Sequence, residues 1–512
     1  MFNNKDIEIL ESRGISVNEA SKQIERLRKG TRYVKLKAPA TVNSGIIVPD
    51  DEVLTEWIRL YDDEVKQIDL IKFVPASGAA SRMFKRIQEF LLEKSFPKLS
   101  DLLADNEFYS VGNTLKNIDR FAFAEQLAAC MQISGSKISE CLNDKNYNIV
   151  LLKILTDSGL NLANLPKGLI PFHKYEKKIR TAFEEHIIEG IYYSKSCNNE
   201  VKLHFTVSPE HRNGFEQLLK EIKSEYEDLY DIKLIVEFSE QKPSTDTLSL
   251  DSEGQAFRND DNTLLFRPGG HGALIENMNT LTNDIVFIKN IDNVVPQNRL
   301  AETVKYKKAL GGLLLSIRNT IHEFLLLADS NDLDNEIIDS MIAFAHSELH
   351  LEDLTYINDF KEKKERLKEI LNRPIRICGM VKNTGEPGGG PFWVEDQSGK
   401  FSLQIVEKAQ IQLNDPVQKQ IFEKSTHFNP VDIVCSITDY RGKSFDLRRF
   451  RDDETYFVAE KTKSGKSLKA LELPGLWNGA MAKWITLFVE VPLVSFNPVK
   501  EINDLLRKEH QV

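Results

Sequence analysis

A layered α/β fold is the architecture this sequence predicts, and three observations carry it. Short runs rich in β-branched and aromatic residues, at 71–74, 201–207, 232–238, 264–266, 285–288 and 375–380, have the length of strands. Stretches with apolar residues at helical spacing, among them 215–224 and 307–327, lie between those runs. Strand-like and helix-like segments that alternate in this way suit a sheet covered by helices.

Taken in order, residues 1–66 place Ile24 and Leu27, then Leu54, Trp57, Ile58 and Tyr61, at helical spacing, and predict a helical N-terminal segment packed on the core. Residues 67–430 form the expected core, opened by the strand before Pro75. Two helical insertions interrupt it. One is near 86–163, where Ile87, Phe90 and Leu91 share an apolar face, and the other is the charged stretch near 328–372. Glu386-Pro387-Gly388-Gly389-Gly390-Pro391 is a turn-rich loop too short to be a linker. Residues 431–512 are expected to complete a substrate pocket. His346 and His350 stand four apart on a predicted helix, but the adjacent glutamate of a zinc-protease motif is missing, so a solvated face is expected there.

The bulk numbers narrow the classes. A chain of 512 residues, 41% hydrophobic and 28% charged, has the composition of an ordinary globular protein. Its net charge of -10 argues against non-specific nucleic-acid binding. No apolar run approaches the roughly 18 residues that span a bilayer, and the first residues lack the apolar stretch of a secretory signal. Five scattered cysteines suit free thiols better than a disulfide framework or a zinc site. A cytoplasmic location is the expectation, with neither nucleic acid nor membrane as partner.

The chemistry-bearing segment follows the first core strand. Ala76, Ser77, Gly78, Ala79, Ala80 and Ser81 are small enough for a ligand to approach the backbone, and a following helix N-terminus would turn N–H groups toward a phosphate. Arg82 can add a bidentate contact to a phosphate oxygen. The loop matches neither the P-loop nor the dinucleotide fingerprint. On composition alone it is a structural turn or a phosphate loop.

Gly78-Ala79-Ala80-Ser81-Arg82-Met83 resembles the Gly-x-Gly-Thr-Arg-Met signature of the UDP-sugar pyrophosphorylase family, with Ala80 standing at a family glycine. The resemblance extends to Leu165-Pro166-Lys167-Gly168-Leu169-Ile170-Pro171, Phe238-Ser239-Glu240-Gln241, Pro268-Gly269-Gly270-His271-Gly272 and Asn290-Ile291-Asp292-Asn293. It continues through Gly388-Gly389, Gln404-Ile405-Val406-Glu407, Phe428-Asn429 and Phe496-Asn497-Pro498-Val499-Lys500. The order agrees over roughly residues 70–507, which makes the set more specific than any one motif.

What the resemblance implies is a nucleotidyltransferase fold, a Rossmann-like mixed sheet flanked by helices. The implied reaction joins an NTP, with UTP the expected one, to a sugar 1-phosphate, with Mg2+ as cofactor. In that scheme Arg82, Lys167 and Lys500 are the catalytic candidates, and Ala76–Ser81, Gln241, Gly269, Gly270, His271 and Gly272 bind the nucleotide. Asn293, Gly389, Glu407 and Asn429 are the sugar-binding candidates. Asp292 is the metal candidate, with Asn429 or Asp432 as a second ligand. Read from the residues alone, Asn290 and Asp292 serve equally well to cap a turn, Lys500 can be a snorkelling lysine, and His271 a positioning or packing residue. The competing readings are a catalytically inactive relative that binds a nucleotide or another protein, and nucleotidyl transfer to a non-sugar phosphate.

Overall fold

In the computed structural model, residues 2–78, 80–93, 96–143, 146–385, 388–396 and 398–512 are described. Ala79, Glu386 and Pro387, named above, lie outside them. The chain forms two compact units, each assembled from separate stretches. The first comprises Met1–Ile71, Ser239–Ile288 and Lys307–Leu493, and the second Lys72–Phe238, Lys289–Tyr306 and Val494–Val512. The linear division at 66 and 430 is therefore not the division of compactness.

In the first unit, Thr41–Val42, Gly45–Ile47, Ile485–Glu490, Ile375–Lys382 and His427–Ser436 lie side by side in that order. Ile375–Lys382 runs parallel to Ile485–Glu490 and antiparallel to His427–Ser436, so the sheet is mixed, as the resemblance implies. The expected strand at 375–380 is present and longer. The expected strand at 264–266 shrinks to Phe266–Arg267.

The N-terminal expectation needs a correction. Helices occupy Asn4–Ser12, Val17–Lys29 and Asp51–Glu64, but Lys35–Pro39, Thr41–Val42 and Gly45–Ile47 are strands. Lys35–Pro39 pairs with the distant Gly390–Glu395, and the alternation of Lys35-Leu36-Lys37 sends only Leu36 of the three into an apolar cluster with Phe392, Val406 and Ile411. The charged stretch 328–372 holds helices Asn335–Ser347 and Phe360–Leu371. His350 falls past the first of these, at φ +54° and edge-on to Trp393, so it shares no helix face with His346.

The second unit contains Leu70–Pro75 from Lys72 onward, parallel to Glu200–Val207, with Lys72 opposite Leu203 and Pro75 opposite Thr206. Among the described residues, six short helices lie between Lys85 and Leu155. The helix Ala182–Tyr193 starts where Thr181 and Glu184 form a capping box, each side chain accepting the other residue's backbone N–H. Its Phe183, Ile187, Ile188 and Ile191 enter one core with Phe205, Phe215, Val294 and Val499.

That core anchors the C-terminal segment. Val499, Ile502, Leu505 and Leu506 are buried in it. A buried polar chain adds to the anchorage: Glu185 Oε1 lies 3.0 Å from His173 Nδ1, and His173 Nε2 lies 3.0 Å from His510 Nδ1. His510 in turn bonds the backbone of Asn497. Among the described residues, no helix is long and apolar enough to cross a membrane.

Burial, with the nearby His173 and Arg507, pushes His510 from an ordinary value of 6.5 down to about 3. The unfolded chain therefore binds the extra proton between these values, and stability present at neutral pH is lost as pH falls from 6.5 toward about 3. The thermal midpoint of the wild type should fall across that window more steeply than that of His510→Gln. Equal slopes would contradict this role.

Candidate active site

The phosphate-loop candidates, Lys167, Asp292, Asn293 and Lys500 all belong to the second unit. The strand ending at Pro75 delivers Ala76, whose N–H donates to Thr206 O at 2.8 Å and keeps the chain in line with the neighbouring strand. Gly78 and Ser81 are exposed, and Ser77 partly so, around a buried Ala80. Gly78 O accepts from Lys167 N at 3.3 Å and Ala80 N donates to Leu165 O at 3.2 Å, which draws the Leu165–Lys167 segment against the loop. Ala80 is not among the residues with positive φ, so the alanine at the family's glycine position is unstrained.

The helix expected directly after the loop is displaced. Ala80–Arg82 is a single 3-10 turn, and the next helix, Lys85–Leu91, is seven residues long with no side-chain cap. Arg82 stands exposed at the end of that turn. No α-helix terminus therefore follows the loop directly among the described residues.

Around Asp292 two distant segments pair. Asn293 bridges Pro498, Val499 N donates to Asp292 O at 3.0 Å, and Asn497 N donates to Asn293 Oδ1 at 2.9 Å. Lys167 closes the knot: its Nζ donates to Asp292 Oδ2 at 2.9 Å and to Val499 O at 2.8 Å. Lys500 follows at once, its N–H donating to Asp504 Oδ2 at 2.8 Å and its Nζ 5.8 Å from the centre of the Phe496 ring. Asn293 is 2% exposed, and its Nδ2 is buried without a partner among the described residues. An orphaned buried donor is costly and calls for an acceptor.

The remaining candidates form a second group within the first unit. His271 Nδ1 accepts from Leu476 N at 3.0 Å, its ring stacks on Trp477 at 4.4 Å, and its Nε2 lies 3.3 Å from Glu407 Oε1. Burial alone would raise the Glu407 pKa. The hydrogen bond and charge of His271, with Asn478, outweigh it and hold the carboxyl below its ordinary value. Gly389 O accepts from Asn429 N at 2.7 Å, and a Cβ on Gly389 would lie 3.5 Å from Glu407 Cγ, so three sugar-binding candidates are neighbours. Asn429 Oδ1 accepts from Val431 N, at a strand irregularity where Val431 takes φ +59°. Its buried Nδ2 has no partner among the described residues.

Three expectations in this unit change. Gly270, at φ +80°, and Gly272 are nucleotide-binding candidates by the resemblance. A Cβ on Gly270 would lie 2.3 Å from Glu472 Oε2, and one on Gly272 2.1 Å from Pro474 O. These glycines, with Gly269 O accepting from Leu473 N at 2.9 Å, are needed to pack the 472–474 segment. Gln241 donates to Asp246 Oδ1 at 3.4 Å, and Asp246 pairs with Arg13 at 2.7 Å, which gives Gln241 an anchoring contact. Asp432 sits inside the strand His427–Ser436 and is buried in an ion pair with Lys307. Lys307 therefore already neutralises the carboxylate proposed as a second metal ligand.

Among the described residues, no group of three or more His, Cys, Asp or Glu side chains could hold a metal ion. Asp292 fits Mg2+ only as one carboxylate in a shell completed by phosphate oxygens and water, a coordination that Mg2+ favours.

Sequence reasoning missed Lys307 as the partner of Asp432 and Val499 as a ligand of Lys167. The first has no local signal, and the second is a backbone carbonyl.

The chain belongs to the family described as a domain of unknown function (DUF4301), whose model matches residues 3–511. No curated protein matches it. Among solved structures it is similar to the UDP-N-acetylglucosamine pyrophosphorylase of Trypanosoma brucei, at 12% identity and a TM-score of 0.49, covering 99% of this chain and 79% of that one. It is also similar to a mutant UDP-glucose pyrophosphorylase of Leishmania major in complex with UDP-glucose, at 12% identity and a TM-score of 0.45, with the same coverages. At such scores the chemistry of this chain has to be argued from its own residues.

Lys307→Met should destabilise the protein by about 3–5 kcal/mol, because it leaves a buried carboxylate unpaired. Adding Asp432→Leu should restore most of the loss. Denaturant titration checks both, and a single variant as stable as wild type would return Asp432 to the list of available ligands.

Proposed function

We propose that this chain is a nucleotidyltransferase that joins an NTP, UTP first among them, to a sugar 1-phosphate and releases pyrophosphate. One observation carries the reading. Lys167, far from the others in sequence, bonds the loop at Gly78 through its backbone N–H and Asp292 and Val499 through its Nζ, and Lys500 follows directly on Val499. Such a cluster suits a reaction in which neither nucleophile nor leaving group needs a proton from the protein.

In the proposed reaction an oxygen of the sugar phosphate attacks the α-phosphorus in line, and the bond to the β-phosphate oxygen breaks. The protein's contribution is positioning and charge neutralisation. Arg82, exposed at the loop, would take the triphosphate. Lys167 already spans a carboxylate and a carbonyl and can exchange the carboxylate for a phosphate oxygen. Lys500 would hold the sugar phosphate. Asp292 would hold Mg2+, which when bound supplies further neutralisation of phosphate charge. The orphaned amide donors of Asn293 and Asn429 each suit a sugar or phosphate oxygen. The alternative, an inactive relative that still binds a nucleotide or a protein, draws on the missing helix terminus behind the loop.

A panel of NTPs incubated with pooled sugar 1-phosphates and Mg2+, assayed for pyrophosphate, tests the reading. Asp292→Asn should fold and lose about tenfold or more in turnover, equivalent to about 1.4 kcal/mol of transition-state stabilisation. Arg82→Ala should mainly weaken NTP binding, and Lys500→Ala sugar-phosphate binding and turnover. Nucleotide binding without pyrophosphate release would favour the inactive relative. Phosphate-ligand binding and turnover unchanged in all three variants would remove the assignment.

A further inference from the structure

Beneath the Asp292 turn lies a set of buried polar groups that the reaction above does not use. Lys72, Glu189 and His186 are 0% exposed and Lys289 is 1% exposed. Glu189 pairs with Lys289 at 2.9 Å and with Lys72 at 3.4 Å, and accepts from Tyr193 OH at 2.9 Å. Lys72 also donates to the backbone carbonyl of His186 at 2.9 Å. Burying ions costs several kcal/mol each even after relaxation, and apolar side chains of similar volume would often be as stable. The cluster therefore calls for a reason other than stability.

Its output is the backbone of the turn. His186 Nε2 lies 3.1 Å from Asn290 O and 3.2 Å from Ile291 O. Carbonyls only accept, so Nε2 carries the proton and its N–H is shared between them. Nδ1 is buried with no partner among the described residues, which suits the lone pair of a neutral ring. Burial first, then the charge of Lys72, pushes the His186 pKa well below its ordinary value, so the ring keeps this form. Residues 289–292 are thus held one after another: Lys289 by Glu189, Asn290 and Ile291 by His186, and Asp292 by Lys167 and Val499 N.

We propose that His186 is a positioning residue that fixes the Asn290–Asp292 turn through the two carbonyls, with Glu189, Lys72 and Lys289 holding the helix and strand on which it depends. The link from this turn to turnover rests on the transferase reading above; the positioning itself does not. Misplacement of a reacting or metal-holding group by about 1 Å can cost roughly a hundredfold in rate, so a rigid turn under Asp292 has kinetic consequences.

The test uses the full chain with His186→Leu, which removes the donor, His186→Gln, whose amide nitrogen can reach the Nε2 place, and His186→Asn, whose amide falls short. Hydrogen exchange at the Val499 amide, which donates to Asp292 O, reads the position of the turn without any ligand. Exchange should be about tenfold or more faster in His186→Leu than in wild type, and near wild type in His186→Gln. Where wild type releases pyrophosphate, His186→Leu should lower kcat about tenfold or more and raise the half-saturating Mg2+ concentration. The KM for the sugar phosphate should hold, and Gln should rescue. If His186→Leu does not fold, Gln against Asn answers the same question. Equal exchange in wild type and the donor-free variant, or equal loss in Gln and Leu (or in Gln and Asn), overturns the proposal. A wild type that neither releases pyrophosphate nor binds Mn2+·UTP defeats the transferase reading alone, and His186 then stands or falls on the exchange.

Discussion

The candidate site of the second unit depends on the pairing of the Asp292–Asn293 turn with Asn497–Val499, closed by Lys167. Each backbone hydrogen bond there contributes only about 1 kcal/mol net. The pairing persists because both partners are anchored independently. Val499, Ile502, Leu505 and Leu506 sit in the apolar core, and His510 ties the end of the chain to His173 and Glu185. Without that anchorage Lys500 would be a mobile tail residue, and Lys167 would lose its carbonyl acceptor.

Electrostatics in the chain divides into two kinds of contact. Lys167 and Asp292 are partly open, at 15% and 22% side-chain exposure, so their attraction is screened and a charged ligand can replace either partner. The pairs of Glu189 with Lys72 and Lys289, and of Lys307 with Asp432, are closed to water and hold fixed geometry. In the second unit the open pair of Lys167 with Asp292 stands with the closed pairs of Glu189, a combination that the proposed catalysis by positioning would use.

Much of this was legible in the sequence, for identifiable reasons. The strand Leu70–Pro75 is an apolar run broken only by Lys72, Glu200–Val207 alternates polar and apolar residues, and the helix Arg212–Tyr230 has clear periodicity. Lys167 and Asp292, named from their pattern, bond each other, and Lys500 follows Val499, whose backbone bonds both. Other features depend on contacts that no local pattern encodes. The short strands between Lys35 and Ile47 follow from pairing with distant segments, and Asp432 is claimed by a lysine on another helix. The glycines Gly270 and Gly272 carry the signature of a ligand loop, yet their space is filled by Glu472 and Pro474. A glycine pattern reports that something approaches the backbone, and only the fold says what.

The central claim is that the lysine–aspartate knot of the second unit handles a nucleoside triphosphate in chemistry. Pyrophosphorolysis tests it most directly: wild type and Asp292→Asn are incubated with pyrophosphate, Mg2+ and a panel of nucleotide sugars, and NTP formation is followed by chromatography. The account predicts NTP release by the wild type, from a uridine nucleotide sugar first, and a rate lower by about tenfold or more in the variant. No NTP from any nucleotide sugar, or equal rates in the two proteins, would contradict it.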